Sequence, residues 1–163
     1  MSGLAVMVLV TLAVLVGAPA AEATPVPSGG KHCVTIIEKV PGQGSKSRVV
    51  SNDCTTGSTS LAVPADSVPL ITFWQNDNYS GWSNTVYGKS GPCDSEGYGM
   101  SDLSVVQINV DGISSYTYDS NCDEQRYYDG LYYGGDWRTN FLDQPYVGDL
   151  WNDNLWSMQV WNG

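Results

Sequence analysis

Short runs of alternating apolar and polar residues fill the chain from residue 70 to its end, and glycine, asparagine or aspartate separates them. The runs are "LITFWQ", "SNTVYG", "SVVQINV", "SSYTYD", "QRYYDG" and "WSMQVW". None keeps a helical period for three turns, whereas several short strands at regular spacing are typical of a β-sandwich or barrel. The pattern therefore predicts an all-β domain over 70–163.

Two further β-type runs, "CVTIIEKV" and "SRVVSNDC", precede this domain and flank the turn-rich segment "PGQGSK". Their β-branched residues and closing cysteines predict a disulfide-closed hairpin within an extension and linker over 24–69. A single hairpin is too small to form a hydrophobic core of its own.

The first 23 residues are predicted to be a signal peptide. An unbroken apolar run from Leu4 to Val16 is followed by "GAPAAEAT", whose small residues suit cleavage after Ala20 or Ala23. The run is shorter than the roughly 18 residues that a spanning helix needs, although "MSG" supplies no lysine or arginine ahead of it. We expect a secreted, extracellular protein with no membrane association after cleavage.

The four cysteines of an exported chain indicate two disulfides, for which three connectivities exist. We favour sequential pairing, Cys33 with Cys54 and Cys93 with Cys122, because each pair then flanks neighbouring strands. The chain has no CxxC or cysteine–histidine ligand spacing, which argues against zinc.

The net charge of −10 is uneven, since the residues after position 90 hold twelve carboxylates against Arg126 and Arg138. Such a surface repels phosphate backbones and anionic membranes, so nucleic acid is not expected as a partner. It suits cations or a basic protein. Solubility outside the cell also explains much of the acidic excess.

The most specific stretch is "LITFWQNDNYSGWSNTVYG", in which six residues separate Trp74 from Gly81. An aromatic ring here would pack over a folded-back hairpin, and glycine allows a backbone conformation that a side chain would block. The stretch resembles the first hairpin of a βγ-crystallin Greek-key motif. That family has a serine later in the motif, and Ser104 is the serine expected here.

A second copy of the motif is predicted to begin at "SYTYDSNCDEQRYY", where Tyr118 matches the aromatic but Gln125 replaces the glycine. Tyr127 with Gly134 is the alternative start. The copy ends with "YVGDLWNDNLWSMQVW", which is similar to the family's closing stretch. The resemblance implies a βγ-crystallin-like Greek-key sandwich of two motifs over 70–163, preceded by the disulfide-closed hairpin.

The resemblance also implies calcium as a cofactor, bound through two Asn/Asp residues, two variable residues, Ser or Thr, and then Ser. Asn152 and Asp153 match the first pair and Ser157 matches the last serine, but Trp156 occupies the hydroxyl position. Because calcium prefers six to eight oxygen ligands, we expect at most weak binding. The alternative is that Asn152 and Asp153 only cap a turn.

In the first motif, "VDGISS" fits the calcium spacing in part. Its Asp111, Ser114 and Ser115 supply three of the expected oxygens, although the segment lies where the chain should turn into the second motif. Asp111 therefore joins Asn152, Asp153 and Ser157 in the predicted metal set.

Signs of catalysis are sparse. His32 is the only histidine, it neighbours Cys33, and no GxSxG motif is present. No catalytic residue is assigned. Trp82, Trp137 or Trp161 would stack on sugars if exposed, whereas burial in a leucine-poor β-domain is the simpler role for scattered aromatics.

We expect a monomeric, secreted, non-enzymatic module for binding or stability. One alternative, implied by the resemblance alone, is an inhibitor of an extracellular metalloproteinase that docks through the loop "YGKSGPCDSEGYGMSD". Another is an antifungal toxin or a binder of cell-wall glycan. The expected partners are accordingly an extracellular protease or a wall glycan.

Overall fold

The computed structural model describes residues 30–57, 59–106 and 112–163. The predicted signal peptide and Asp111 lie outside the described residues. Nine strands make up the fold: β1 (Lys31–Lys39), β2 (Ser47–Thr56), β3 (Val68–Asn76), β4 (Ser80–Gly88), β5 (Tyr98–Met100), β6 (Ser115–Tyr118), β7 (Glu124–Tyr128), β8 (Trp137–Asn140) and β9 (Ser157–Trp161). Two 3₁₀ turns, Leu103–Val105 and Leu131–Tyr133, are the only helical elements in the described part of the chain.

The strands form two sheets. The first sheet has the order β2-β1-β4-β3-β6, and the second has the order β5-β9-β7-β8. Strand β5, the third of the first motif, pairs in the sheet of the second motif. In return, Gln144, between β8 and β9, forms a bridge with Tyr116 of β6 in the first sheet. This exchange joins two Greek keys, β3–β6 and β7–β9, into one sandwich and confirms the predicted all-β fold of two motifs.

Tyrosines fill much of the space between the sheets. Edge-to-face contacts run from Phe73 to Tyr116, then to Tyr127 and on to Trp151, with ring centroids 6.4, 6.2 and 4.8 Å apart. Asn140 donates through Nδ2 to the hydroxyls of Tyr116 and Tyr127, at 3.2 and 3.1 Å. A chain poor in leucine and phenylalanine thus builds its core from tyrosines whose polar ends are satisfied.

The amino-terminal hairpin is part of the first sheet. Strand β1 pairs antiparallel with β2 and parallel with β4, so the hairpin adds two strands to the sheet edge. Its Ile37 is buried in the core shared by both sheets. The disulfide-closed hairpin is confirmed, while the division of the chain at residue 70 stays a prediction.

Both disulfides follow the sequential pairing. Cys33 bonds Cys54 directly across β1 and β2, with 4.0 Å between the Cα atoms, and Cys93 bonds Cys122 with 5.0 Å between them. Over the described ranges, no helix has the length and apolarity to cross a membrane.

Candidate functional site

The chain folds back sharply between β3 and β4, as the Trp74–Gly81 spacing predicted. Asn78 and Tyr79 have positive φ angles of 51° and 57°, and Gly81 has a φ of 78°. The ring of Trp74 contacts that of Tyr79 edge to face, with centroids 5.3 Å apart. A Cβ at position 81 would lie 2.7 Å from Nδ2 of Asn76, and a φ of 78° is one that glycine adopts readily and other residues rarely do.

A buried serine at the start of β6 closes this first bend. The Ser115 hydroxyl donates to the Asn76 carbonyl at 2.6 Å and accepts from the Tyr79 backbone N–H at 3.1 Å. The prediction of Ser104 for this role was wrong, because Ser104 is exposed in the 3₁₀ turn before β6. Only a residue at the start of β6, beside β3, reaches the bend.

A second bend with the same backbone lies between β7 and β8. Tyr132, Tyr133 and Gly135 have φ angles of 56°, 63° and 79°, and the rings of Tyr128 and Tyr133 are 5.6 Å apart. Ser157 closes this bend, since its hydroxyl donates to the Gly130 carbonyl at 2.6 Å and accepts from the Tyr133 N–H at 2.9 Å.

The predicted start of the second motif was therefore wrong. Tyr118 ends β6 and Gln125 is buried in β7, where its Nε2 donates to the Cys122 carbonyl at 2.6 Å. The alternative start at Tyr127 is one residue early. Adjacent aromatics at 127 and 128 and adjacent glycines at 134 and 135 made both registers fit the six-residue spacing. The structure selects Tyr128 with Gly135.

An open cleft with a volume of about 590 Å³ lies between the first bend and the loop before β9. The residues that line it come from both motifs and carry mainly oxygen: Gln75, Asn76, Asp77, Ser80, Ser114, Tyr146, Asn152 and Asp153. Two of the predicted metal residues, Asn152 and Asp153, thus meet here with Ser114.

Hydrogen bonds fix the oxygens of the cleft. The Ser114 hydroxyl donates to the Gln75 carbonyl at 2.6 Å, and the Ser80 hydroxyl donates to the Asp77 carbonyl at 2.8 Å. On the opposite wall, Nδ2 of Asn152 donates to Oδ2 of Asp153 at 2.6 Å. Each donor hydroxyl keeps lone pairs that a bound cation accepts.

A glycine lets the Asp153 wall approach the first motif. Asp153 has a φ of 59°, and its backbone N–H donates to the Ile113 carbonyl at 3.2 Å. A Cβ on Gly112, whose own φ is 85°, would lie 2.5 Å from the Cα of Asp153. Because Gly112 has no side chain, the segment at Asp153 can lie this close to the segment at Gly112, and the width of the cleft depends on it.

Negative charge concentrates around the cleft. The Tyr146 hydroxyl donates to Oδ1 of Asp149 at 2.7 Å. This hydrogen bond raises the pKa of Tyr146, and the nearby charges of Asp149, Asp153 and Asp77 add to the effect. A field of this sign attracts cations.

The donors fit a hard, oxygen-preferring cation better than a transition metal. Asp77 and Asp153 offer carboxylates, while the other donors are hydroxyl, amide and carbonyl oxygens. No group of three or more His, Cys, Asp or Glu side chains suited to a metal occurs in the described part of the chain. Ser157, predicted as a ligand, lies in the second bend, where its hydroxyl bonds Gly130.

Within the residues that the structure describes, the second bend carries fewer oxygen donors, with Asp129 at the position of Gln75. The positions equivalent to those of Asn76, Asp77, Ser80 and Ser114 hold, in order, Gly130, Leu131, Gly134 and Trp156. The indole of Trp156 donates to Oδ1 of Asn154 at 3.0 Å and offers no oxygen.

The loop proposed for protease docking is held close to the body of the protein. Oδ1 of Asp94 accepts from Lys39 Nζ at 2.6 Å and from the Gly97 N–H at 2.9 Å, and these bonds lower the pKa of Asp94. Cys93 is tied to Cys122. No large apolar side chain in this described loop is exposed.

Strand order and the paired bends define a βγ-crystallin-like double Greek key. The chain is similar to the βγ-crystallin domain of Clostridium beijerinckii, at 22% identity and a TM-score of 0.44 over 58% of this chain and 99% of that one. It is similar to the Flavobacterium johnsoniae domain, at 25% identity and a TM-score of 0.42 over 58% and 96%. It is also similar to the N-terminal domain of protein S, at 20% identity and a TM-score of 0.43 over 57% of this chain and 96% of that one.

No protein-family profile matches the chain, and no curated protein matches it.

Proposed function

We propose that this protein is a secreted, non-enzymatic βγ-crystallin-like binding module that takes up one calcium ion weakly at the first bend and gains stability from it. The observation that carries the proposal is the meeting of Ser114 and Asp153, from different motifs, in one oxygen-lined cleft with Gln75 and Asp77. Calcium bound there would link the two motifs through their loops.

Weak affinity follows from the small number of charges. Two carboxylates and a few neutral oxygens leave the rest of a six- to eight-fold shell to water, as in extracellular modules with dissociation constants of about 10⁻⁴ to 10⁻³ M. Because the ion binds only the folded chain, excess calcium raises the unfolding temperature.

We assign no reaction to the protein, and the surroundings of His32, the only histidine, agree with that. Nδ1 of His32 shares a hydrogen bond of 2.8 Å with the Ser83 hydroxyl. Ser83 is 4% exposed and His32 is half-buried, so the serine hydroxyl is not accessible as a nucleophile in this arrangement. Burial also lowers the pKa of His32.

Calorimetric titration of chain 24–163 with calcium chloride tests the proposal. We expect one weak site in the wild type and loss of the heat in Asp153→Ala. Asp66→Ala removes the same charge from an exposed linker position outside the cleft and should leave the heat unchanged. Binding tighter than about 10⁻⁶ M, the range of calcium sensors, would contradict the weak-site proposal.

A further inference from the structure

The outer face of the second sheet carries a row of aromatic and polar side chains outside the cleft. Tyr128 in this row is 8% exposed and packs on Tyr133, and the Gln159 amide bonds Tyr128 and Ser45. Directly opposed residues on neighbouring strands share a face of the sheet. The pairing of β7 with β8 and β9 therefore gathers on this platform face Glu124, Arg126, Tyr128, Trp137, Thr139, Gln159 and Trp161.

The other face of the same strands is the core. Gln125, Tyr127, Met158 and Val160 alternate with the platform residues and have no exposed area. The platform face therefore points outward, and packing against the core does not explain its tryptophans.

Arg126 holds both tryptophans of the platform face in place. Its guanidinium carbon lies 4.7 Å from the ring centroid of Trp137 and 5.4 Å from that of Trp161. Its Nε donates to the Thr139 hydroxyl at 3.0 Å, and the Trp161 indole donates to Oε2 of Glu124 at 2.8 Å. Cation–π contacts and hydrogen bonds thus fix the rings before any ligand arrives, which lowers the entropic cost of binding.

Trp137 is the accessible end of this arrangement, with 57% of its surface exposed. A rigid, exposed indole beside the Arg126 guanidinium, which also bonds the Thr139 hydroxyl, matches the chemistry of a pyranose ring. The C–H face of the sugar packs on the indole, and its hydroxyls bond the polar side chains at the ring edge.

We propose that the platform face binds an uncharged glycan built of pyranose rings. Glu124 and Arg126 balance each other, so the platform favours a ligand without charge, and a net charge of −10 disfavours acidic glycans and a second copy of the chain. The platform face lies on β7, β8 and β9, whereas the calcium cleft lies between the first bend and the loop before β9. Glycan binding therefore goes beyond the proposed function.

Two binding assays on chain 24–163 test the proposal. The first measures depletion of the protein from solution by insoluble chitin and by cellulose, and the second is a titration with N-acetylchitohexaose. The two polysaccharides distinguish an N-acetylated from a plain glucan. Trp137→Ala should weaken binding about tenfold or more, as expected for a central aromatic anchor. Phe141→Ala is the matched control, because Phe141 is 60% exposed but follows β8 and lies outside the platform face; it should bind like the wild type.

Failure of the wild type to bind either polysaccharide, or equal binding by Trp137→Ala, would overturn the proposal. Should Trp137→Ala not fold, acrylamide quenching of the wild-type tryptophan fluorescence replaces it. N-acetylchitohexaose or cellohexaose should protect part of the fluorescence, and unchanged quenching with both would overturn the proposal. Glycan binding should also persist in EDTA and in Asp153→Ala, which separates this site from the calcium cleft.

Discussion

The bend between β3 and β4 and the bend between β7 and β8 share one backbone and differ in their side chains. Both turn through two residues with positive φ and a glycine, and both are closed by a buried serine that bonds the bend twice. The first lies beside an oxygen-lined cleft, whereas the described residues at the matching positions of the second bend hold fewer oxygen donors. The residues that fold the chain are therefore separate from those available to a ligand.

The two bends also differ in what covers the neighbouring sheet edge. In the first sheet, β1 pairs with β4, the strand that leaves the first bend. In the second sheet, β8 occupies the equivalent position and ends the sheet within the described residues. The amino-terminal hairpin thus protects one motif and leaves the other open at its edge.

The largest expected effect comes from the serines that make the bends alike. Ser115→Ala and Ser157→Ala each remove a buried hydroxyl that makes two hydrogen bonds, so each should lower the free energy of unfolding by roughly 1–3 kcal/mol. Ser104→Ala removes an exposed hydroxyl and should change it by less than about 0.5 kcal/mol. Urea unfolding measures all three, and a larger cost for Ser104→Ala would show that the assignment of the closing serine is incorrect.

A smaller effect should follow from moving the walls of the cleft apart. Gly112→Ala places a Cβ against Asp153 at a φ of 85°, so it should destabilise the fold by about 1 kcal/mol or more and weaken calcium binding. Gly91→Ala is matched in φ, at 86°, but has open space around the new Cβ.

Thermal unfolding and calcium titration of both glycine variants separate the two causes. Gly91→Ala should show the conformational cost alone and bind calcium like the wild type. Equal calcium affinities for Gly112→Ala and the wild type would mean that the position of Asp153 is irrelevant to the ion.

The smallest effect concerns the β1–β4 junction, which only the first motif has. Burial lowers the pKa of His32 below the value of 6.5 for an exposed histidine. Below about pH 6.5 the unfolded chain therefore binds more protons than the folded one, and stability falls as the pH drops.

His32→Gln keeps a polar partner for Ser83 but does not titrate. Its unfolding temperature should fall less than that of the wild type between pH 7.5 and 5.5. Parallel curves for the two proteins would show that His32 is equally accessible to protons in both states.

The first bend was predictable because Trp74, Gly81 and the turn residues between them permit one register, although its closing serine, Ser115, was not found. The second bend was not, because it repeats both the aromatic and the glycine, and local spacing cannot distinguish two registers that differ by one residue. The register of the second bend is decided by the pairing of β7 with β9, whose residues are distant in the sequence.

The candidate site was predictable only in part for the same reason. Asn152 and Asp153 were found from a local pattern, whereas Gln75, Asp77 and Ser80 are brought to them by the folding of two motifs. Ser157 fitted the pattern, but its burial under the second bend depends on the position of Gly130. The platform face likewise required the register of three strands.

Calcium titration followed by ¹H–¹⁵N correlation spectra of chain 24–163 tests most directly whether one bend alone holds the ion. We expect amide shifts at 75–80, 112–115 and 152–153 and none at 129–134. Equal shifts at both bends, or shifts at the second bend alone, would contradict the separation of fold and ligand chemistry.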